Sequence, residues 1–241
     1  MSEISRLHDE QFNELLFNES ILPNGTRVRP RLLKPYDKAA LARGFERLSP
    51  ESRYRRFLTP KKHLTADELR FFTELDGVNH AAIAAFELRE DKHGDDIEGD
   101  IVGVARFIRI LDNADVAEVA ISVIDELQGL GLGRLLLERL AQLAGARGIS
   151  HFRFYFLSDN TQIRSFIKRL CWHVKFSNDG QLIAAECPIS GPDAVQNKAL
   201  ELLGLLAKGS VATPLALSLI SSEIWWREIR RALDMIPTRC A

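Results

Sequence analysis

Cysteine is scarce in this chain of 241 residues, neither sign of charge is in excess, and no long apolar run is present. The three cysteines make no disulfide framework, which suits a reducing compartment. The 32 Lys and Arg residues balance 33 Asp and Glu residues, whereas nucleic-acid binders usually show a basic excess. The longest apolar stretch near the C-terminus, 211–220, is interrupted by Thr213 and Pro214, and a spanning helix needs about 20 apolar residues. We therefore expect a cytoplasmic protein that binds neither nucleic acid nor a membrane.

The hydrophobic pattern switches between strand and helix periods along residues 26–188. Pro30 lies inside the first predicted strand, which places that strand at a sheet edge or ends it early, because proline donates no ladder hydrogen bond. The acidic segment 89–100 is interpreted as a solvated loop. Predicted strands cover 26–33, 81–88, 101–110, 116–124 and 151–156, predicted helices cover 37–47, 132–146 and 160–170, and 172–176 forms a hairpin with 182–187. This mixture predicts an α/β or α+β fold.

Three regions are predicted along the chain. Residues 1–25 form a polar leader with one short helix, residues 26–189 form the folded domain, and residues 190–241 form a C-terminal helical extension of two helices. The second helix of the extension carries an apolar stripe with Trp226 and Leu233 that must be buried. Packing on the first domain and a homodimer interface both remain open for this stripe.

A glycine-rich segment, Gln128-Gly-Leu-Gly-Leu-Gly-Arg134, joins a predicted strand to the clearest predicted helix. Such a junction presents free backbone amides and the positive end of a helix dipole, which together bind phosphate or pyrophosphate. The dinucleotide fingerprint fails because its sixth position is Arg134, and the Walker A pattern fails because no Gly-Lys-Ser/Thr follows.

Gln128, Gly131 and Gly133 do match Gln/Arg-x-x-Gly-x-Gly/Ala, the acyl-CoA signature of the GNAT superfamily of N-acetyltransferases. Residues 49–57 (Ser-Pro-Glu-Ser-Arg-Tyr-Arg-Arg-Phe) resemble the second helix of bacterial Pat-type protein lysine acetyltransferases, and 102–106 and 117–121 resemble two central strands of the superfamily. The resemblance covers about 26–188. It implies a mixed, mostly antiparallel central sheet flanked by helices.

The resemblance also implies the cosubstrate site, with acetyl-CoA as the cosubstrate and no metal. The pantetheine arm would pair with the backbone of one strand, and the pyrophosphate would lie on the amides of the glycine-rich segment. Asn160 either touches the arm or caps a helix, and both roles remain open. The implied cosubstrate-binding residues are Ile121, Ser122, Val123, Gln128, Gly129, Leu130, Gly131, Leu132, Gly133, Arg134 and Asn160.

Glu118 is the candidate general base. Acetylation needs a neutral amine, a free lysine has a pKa of about 10.4, and a nearby carboxylate can take the proton. Strand alternation puts Glu118 on the same face as Ala120 and Ser122, between apolar neighbours that raise the pKa of a carboxylate. The resemblance to Pat-type enzymes, which carry a catalytic Glu at this position, implies the same role for Glu118. A solvent-facing Glu and a Glu paired with Arg106 are the alternatives, and no general acid is assigned.

The sequence thus predicts an acetyl-CoA-dependent N-acetyltransferase that acts on a primary amine, with a protein lysine favoured as the acceptor. A small-molecule amine acetyltransferase and a non-catalytic CoA-binding regulatory domain are the alternatives. The basic cluster of Arg53, Arg55, Arg56, Lys61, Lys62 and His63 is interpreted as a solvated helix face with room to guide a substrate protein. Cys171 and His173 offer too few ligands at useful spacing for a metal site.

Overall fold

The structure, a computed structural model, describes residues 18–171 and 173–189. The helix predicted in the leader and the whole C-terminal extension, with its apolar stripe, lie outside the described residues. Within the described part, none of the helices combines the length and the apolar character needed to cross a membrane.

One eight-stranded sheet runs through the domain in the order β1-β2-β3-β4-β5-β6-β8-β7. Neighbouring strands are antiparallel except β5 and β6, which are parallel. The strands are β1 (Ser20–Ile21), β2 (Arg27–Leu32), β3 (His80–Glu90), β4 (Asp96–Ile110), β5 (Asn113–Val123), β6 (His151–Leu157), β7 (Lys175–Asp179) and β8 (Leu182–Pro188). The predicted fold class, a mixed and mostly antiparallel sheet flanked by helices, is confirmed.

Helices cover both faces of the sheet. Side chains of β3 alternate between the two faces, so Ala82 and Ala84 join one core cluster while Ile83 and Ala85 join the other. The first cluster lies under α1 and α3, and the second lies under α4. The helices are α1 (Lys38–Glu46), α2 (Pro50–Phe57), α3 (Ala66–Thr73), α4 (Leu132–Ala146) and α5 (Thr161–Leu170).

Local signals fix several element ends. The hydroxyl of Ser49 accepts a hydrogen bond from the amide of Ser52 at 3.1 Å and caps α2, with Pro50 in the first helical position, as the sequence predicts. The bounds of α4 agree with the prediction. Helix α3 was not predicted, although Thr65 and Glu68 form a capping box at its start.

Three expectations need correction. The predicted loop at 89–100 is largely the end of a long hairpin, because β3 runs to Glu90 and β4 starts at Asp96. Ser20 and Ile21 of the predicted leader belong to the sheet, since they form β1, which pairs with β2. The strand predicted at 172–176 begins at Lys175. Pro30 sits where β1 has already ended, on the open side of β2, which agrees with its predicted edge position.

Candidate active site

Strands β5 and β6 pair over three residues and then separate. Their pairing ends at Glu118 and Arg153, while β5 stays paired with β4 as far as Val123 and β6 stays paired with β8 as far as Leu157. The edge of β5 from Val119 onward therefore has backbone groups that face a gap instead of a strand. A cleft of about 430 Å³ occupies this gap.

The glycine-rich segment closes one end of the cleft. Gly129 and Gly131 have φ of +75° and +89°, a backbone region that residues other than glycine rarely adopt. Gly131 is the N-cap of α4. The first helical hydrogen bond runs from the amide of Leu135 to the carbonyl oxygen of Gly131 at 3.0 Å. The amides of residues 132–134 consequently have no partner inside the helix. Those of residues 129–131 donate no hydrogen bond to a described residue. The segment thus presents a row of free N–H groups at the positive end of a helix dipole.

The side chains of this segment have separate roles. Gln128 donates from Nε2 to the carbonyl oxygen of Val123 at 3.1 Å and to the hydroxyl of Ser52 at 3.3 Å, which fixes the start of the loop. Leu132 is buried in the core and Leu130 packs partly against it, and neither side chain lines the cleft. The exposed Arg134 pairs with Glu138 at 2.7 Å.

Most of the predicted cosubstrate residues lie around the cleft. Those that line it are Ile121, Ser122, Val123, Gln128, Gly129, Gly131, Gly133, Arg134 and Asn160. The carboxamide oxygen of Asn160 accepts hydrogen bonds at 3.2 Å from the amide of Ile163 and from Arg55, so the capping role is observed. A contact between Asn160 and the cosubstrate stays a prediction.

Glu118 lies where β5 and β6 separate. It directly precedes Val119, the first residue of β5 that lines the cleft. Its carboxylate accepts no hydrogen bond and forms no ion pair within 4.0 Å among the described residues. Burial raises the pKa of Glu118 to about 8, although the charges of Arg56 and Arg153 act to lower it. At neutral pH this carboxyl group therefore binds a proton far more readily than an exposed Glu does.

Glu118 is paired neither with Arg106 of β4 nor with Arg153 of β6. Arg106 donates to Nε2 of His80 at 3.3 Å and to the carbonyl oxygen of Phe72 at 3.4 Å, so the suggested pair between Arg106 and Glu118 is not formed. Arg153 lies directly across from Glu118 on β6 but binds Glu186 at 2.6 and 2.9 Å. The Glu118 carboxylate is therefore not committed to a structural ion pair.

Two side chains at the site were not predicted from the sequence. Tyr155 lines the cleft two residues after Arg153, on the face of β6 that matches the face carrying Glu118, and burial raises the pKa of its phenol. Arg56 of α2 also lines the cleft, and burial lowers its pKa to about 10, so that it is still charged at neutral pH. The solvated-face interpretation of the basic cluster is thus wrong for Arg56. The alternation of residues 151–157 was a usable signal for Tyr155.

A hydrogen-bond network joins the glycine-rich side of the cleft to α2. Asp125, just before the loop, accepts hydrogen bonds from the amide of Ser49 at 2.9 Å and from the hydroxyls of Ser49 and Ser52 at 2.8 Å. Ser52 also receives the bond from Gln128. Burial acts to raise the pKa of Asp125, but these bonds hold it below its usual range. Asp125 thus fixes the start of α2 against the loop.

Comparison with known proteins matches this chain to acetyltransferases in sequence and in structure. The model of the acetyltransferase (GNAT) family matches residues 49–171. The chain is similar to the acetyltransferase Pat of Mycolicibacterium smegmatis, with 33% identity over 143 residues that cover 59% of this chain. The chain spans 40% of the length of that relative. The GNAT domain of S. lividans PAT superposes with a TM-score of 0.64 and 29% identity, covering 72% of this chain and 97% of the domain.

A likeness in fold extends to a structure that holds a cosubstrate. The yncA protein of Salmonella typhimurium, solved with its cofactor acetyl-CoA, has a TM-score of 0.52 and 18% identity, covering 69% of this chain and 98% of that one. At this identity the likeness concerns the fold alone.

Proposed function

This chain belongs to the acetyltransferase (GNAT) family, and on that premise we propose that it acetylates the side-chain amine of a protein lysine, with acetyl-CoA as cosubstrate and Glu118 as general base. The family and the N-acetyltransferase class predicted from the sequence are confirmed, and acetyl-CoA is the cosubstrate of that family. The acceptor, the base and the cosubstrate-binding residues are the proposal.

The observation that carries the proposal is the coincidence of the open edge of β5 with the free amides of residues 129–134 in one cleft. A long thioester cosubstrate with an amide-bearing arm and a pyrophosphate needs both features. We place the arm along Ile121, Ser122 and Val123, where its amides would hydrogen-bond to the strand as an additional strand does. The pyrophosphate then lies against the loop amides.

The reaction is a direct transfer. Glu118 takes a proton from the lysine ammonium, and the neutral amine attacks the carbonyl carbon of the thioester. The carbon–sulfur bond breaks as the carbon–nitrogen bond forms, and coenzyme A leaves as a thiolate that is then protonated. A thiol pKa near ~8.5 makes this thiolate a fairly good leaving group, so a strong general acid is not required.

The raised pKa of Glu118 matches this role. Proton transfer from a lysine with a pKa of about 10.4 to a carboxylate at its usual value is uphill by roughly 6 pKa units. With the Glu118 pKa at about 8, the same transfer is uphill by only roughly 2.4 units, if the lysine keeps its usual value. Burial of the carboxylate thus makes it a much stronger base.

The resemblance of residues 49–57 to bacterial Pat-type protein lysine acetyltransferases supports a protein acceptor, and two similar proteins carry the name Pat. A polyamine acceptor is disfavoured by the charges of the cleft, because its described lining includes four Arg and no Asp or Glu. The acidic segment 89–100, the other place where a polycation could be attracted, belongs to the tip of the β3–β4 hairpin, and none of its residues lines the cleft.

The test is turnover of acetyl-CoA with a panel of proteins and small amines, followed by release of free thiol and by mass spectrometry of the acceptors. We expect acetyl groups on lysine side chains, and a Glu118→Gln variant slower by about 10²–10⁴-fold at pH 7. Glu90→Gln, which removes an exposed carboxylate at the end of β3, is the matched control. Acetylation of small amines alone would overturn the lysine assignment. A Glu118→Gln variant as active as Glu90→Gln would overturn the base.

A further inference from the structure

Three arginines of α2 lie close together in sequence but have different surroundings. Arg53 donates to three backbone carbonyl oxygens at 2.7–3.0 Å, and Arg55 pairs with Glu51 at 2.5 Å. Arg56 is half-buried, yet among the described residues it forms neither a hydrogen bond nor an ion pair. Its guanidinium group lies 4.8 Å from the ring centre of Phe57. Arg56 lines the cleft, so this wall carries a half-buried cation whose five N–H donors have no hydrogen-bond acceptor within the described part of the chain.

The charges around Arg56 do not supply a dedicated partner either. A smaller cavity of about 50 Å³ adjoins the cleft, and Arg56 lines both. Arg106 lines the smaller cavity and donates to neutral groups, the ring of His80 and the carbonyl oxygen of Phe72. Burial and the charge of Arg106 lower the pKa of His80 to about 3, so this ring is neutral. The carboxyl group that interacts with Arg56 through its charge is Glu118, and within residues 18–171 and 173–189 the two form no ion pair within 4.0 Å.

Positive charge is thus in excess on this wall of the cleft. Arg56 keeps its charge at neutral pH because its pKa is about 10, whereas Glu118, with a pKa of about 8, is mostly protonated there and offers little negative charge. Buried charges without counter-charges are unfavourable, so an occupant that brings a negative charge is favoured. A guanidinium group binds a carboxylate through two parallel N–H bonds, which gives strength and orientation.

We propose that Arg56 binds a carboxylate that the acceptor carries next to its reactive amine. The acceptors of this chain are then amines with a neighbouring acidic group, and Arg56 selects them. This inference rests on the proposed function, since it uses the same cleft and the same base. Two sources offer this chemistry, namely an acidic residue beside the lysine of a protein, and the carboxylate of a free amino acid.

Matched acceptor pairs test the proposal. One pair is a capped peptide with a single lysine flanked by Glu and the same peptide flanked by Gln. The other pair is leucine and leucinamide. For each pair kcat/KM is measured with the wild type, Arg56→Gln and Arg56→Lys, and folding of the variants is checked by thermal unfolding. The ratio within a pair is compared between proteins, which cancels the intrinsic reactivity of each amine.

We expect the wild type to prefer the acidic member of one pair by about tenfold or more, as for a hydrogen-bonded charge pair. Arg56→Gln should bring that ratio to about one, and Arg56→Lys should keep part of it. The pair that shows the effect identifies the source of the carboxylate. Lys62→Gln removes an exposed positive charge beyond the end of α2 and should keep the wild-type ratio.

A binding measurement separates this proposal from the proposed function. Peptides with acetyl-lysine between Glu or Gln residues, and N-acetyl-leucine with its amide, need no turnover and are titrated by calorimetry in the presence of coenzyme A. A preference for the acidic member that Arg56→Gln abolishes supports the inference even if no acceptor is acetylated. Equal affinity within both pairs, or a preference that survives in Arg56→Gln, overturns it even if lysine acetylation is observed.

Discussion

The two sides of the cleft are constructed differently. The side proposed to hold the pyrophosphate is one continuous segment, residues 128–134, and it acts through backbone amides held by glycines in left-handed conformations. The side proposed to hold the acceptor gathers Glu118 from β5, Arg56 from α2 and Tyr155 from β6. A backbone site in a short segment depends on local geometry, whereas a site made of distant side chains depends on how the whole domain packs.

The largest expected effect concerns the base on the acceptor side. Wild-type kcat/KM for the acceptor should rise with pH up to about 8, where Glu118 becomes charged, and then level off. Glu118→Gln should lack this limb and recover only as the amine loses its proton near a pKa of about 10.4. Full pH–rate profiles of both proteins with one acceptor check this. A wild-type limb centred near 4.5 would show that burial does not tune the carboxyl group.

This difference between the two sides explains what the sequence could predict. Glycine spacing after a strand and before an amphipathic helix is enough to locate Gly129, Gly131 and Gly133. Alternation places Glu118 on one face of its strand, and the family resemblance was also needed to select it as the candidate base. The inward turn of Arg56 could not be predicted, because Arg53 and Arg55 on the same helix are satisfied by partners elsewhere and the helix pattern does not distinguish them. The separation of β5 from β6 is equally a property of long-range pairing and was not predicted; the family resemblance implied only that the arm of the cosubstrate pairs with the backbone of one strand.

The next effect concerns the phosphate side. A Cβ at Gly133 would lie 3.6 Å from side-chain atoms of Ile121 and Phe166, an ordinary contact, so a side chain is tolerated in the empty cleft. Gly133→Glu should weaken acetyl-CoA binding by about tenfold or more relative to Gly133→Gln, because only Glu brings a negative charge toward the pyrophosphate. Calorimetric titration with acetyl-CoA and with acetyl-pantetheine, which lacks the pyrophosphate, checks this. If Gly133→Glu weakened the binding of both ligands equally relative to Gly133→Gln, the pyrophosphate would not bind at the loop.

A stability measurement sharpens the description of the acceptor side. The folded chain holds the pKa of Glu118 near 8, well above its ordinary value of 4.5, so the folded state favours the protonated form. The wild type should therefore lose stability as pH rises from about 4.5 to about 8, and no more beyond that. Glu118→Gln does not titrate and should gain stability over the wild type across this range.

We expect the gain in the free energy of unfolding to reach about 2 kcal/mol. This is less than the full pKa shift would give at ~1.4 kcal/mol per pKa unit, because solvent still reaches part of the carboxyl group. Urea unfolding of both proteins at several pH values provides the free energies of unfolding. Glu90→Gln should show no such growth with pH. A difference between Glu118→Gln and the wild type that is constant from pH 4.5 to 8 would contradict the raised pKa.

The smallest effect tests whether the two sides are independent. The Asp125 carboxylate accepts hydrogen bonds from Ser49 and Ser52 at the start of α2, and its backbone carbonyl oxygen accepts one from the amide of Gln128 at 3.3 Å, so Asp125 contacts both sides. Asp125→Asn keeps the shape but replaces an acceptor of charge-assisted bonds, and we expect a loss of about 1 kcal/mol in stability. Because α2 carries Arg56 and the loop carries the amides, KM should rise by about threefold for acetyl-CoA and for the acceptor alike. Glu126→Gln, which removes the neighbouring exposed carboxylate paired with Arg47, is the control and should change neither KM. A change in only one of the two KM values for Asp125→Asn would mean that Asp125 does not position the loop and α2 together. The two sides of the cleft would then be positioned independently of each other.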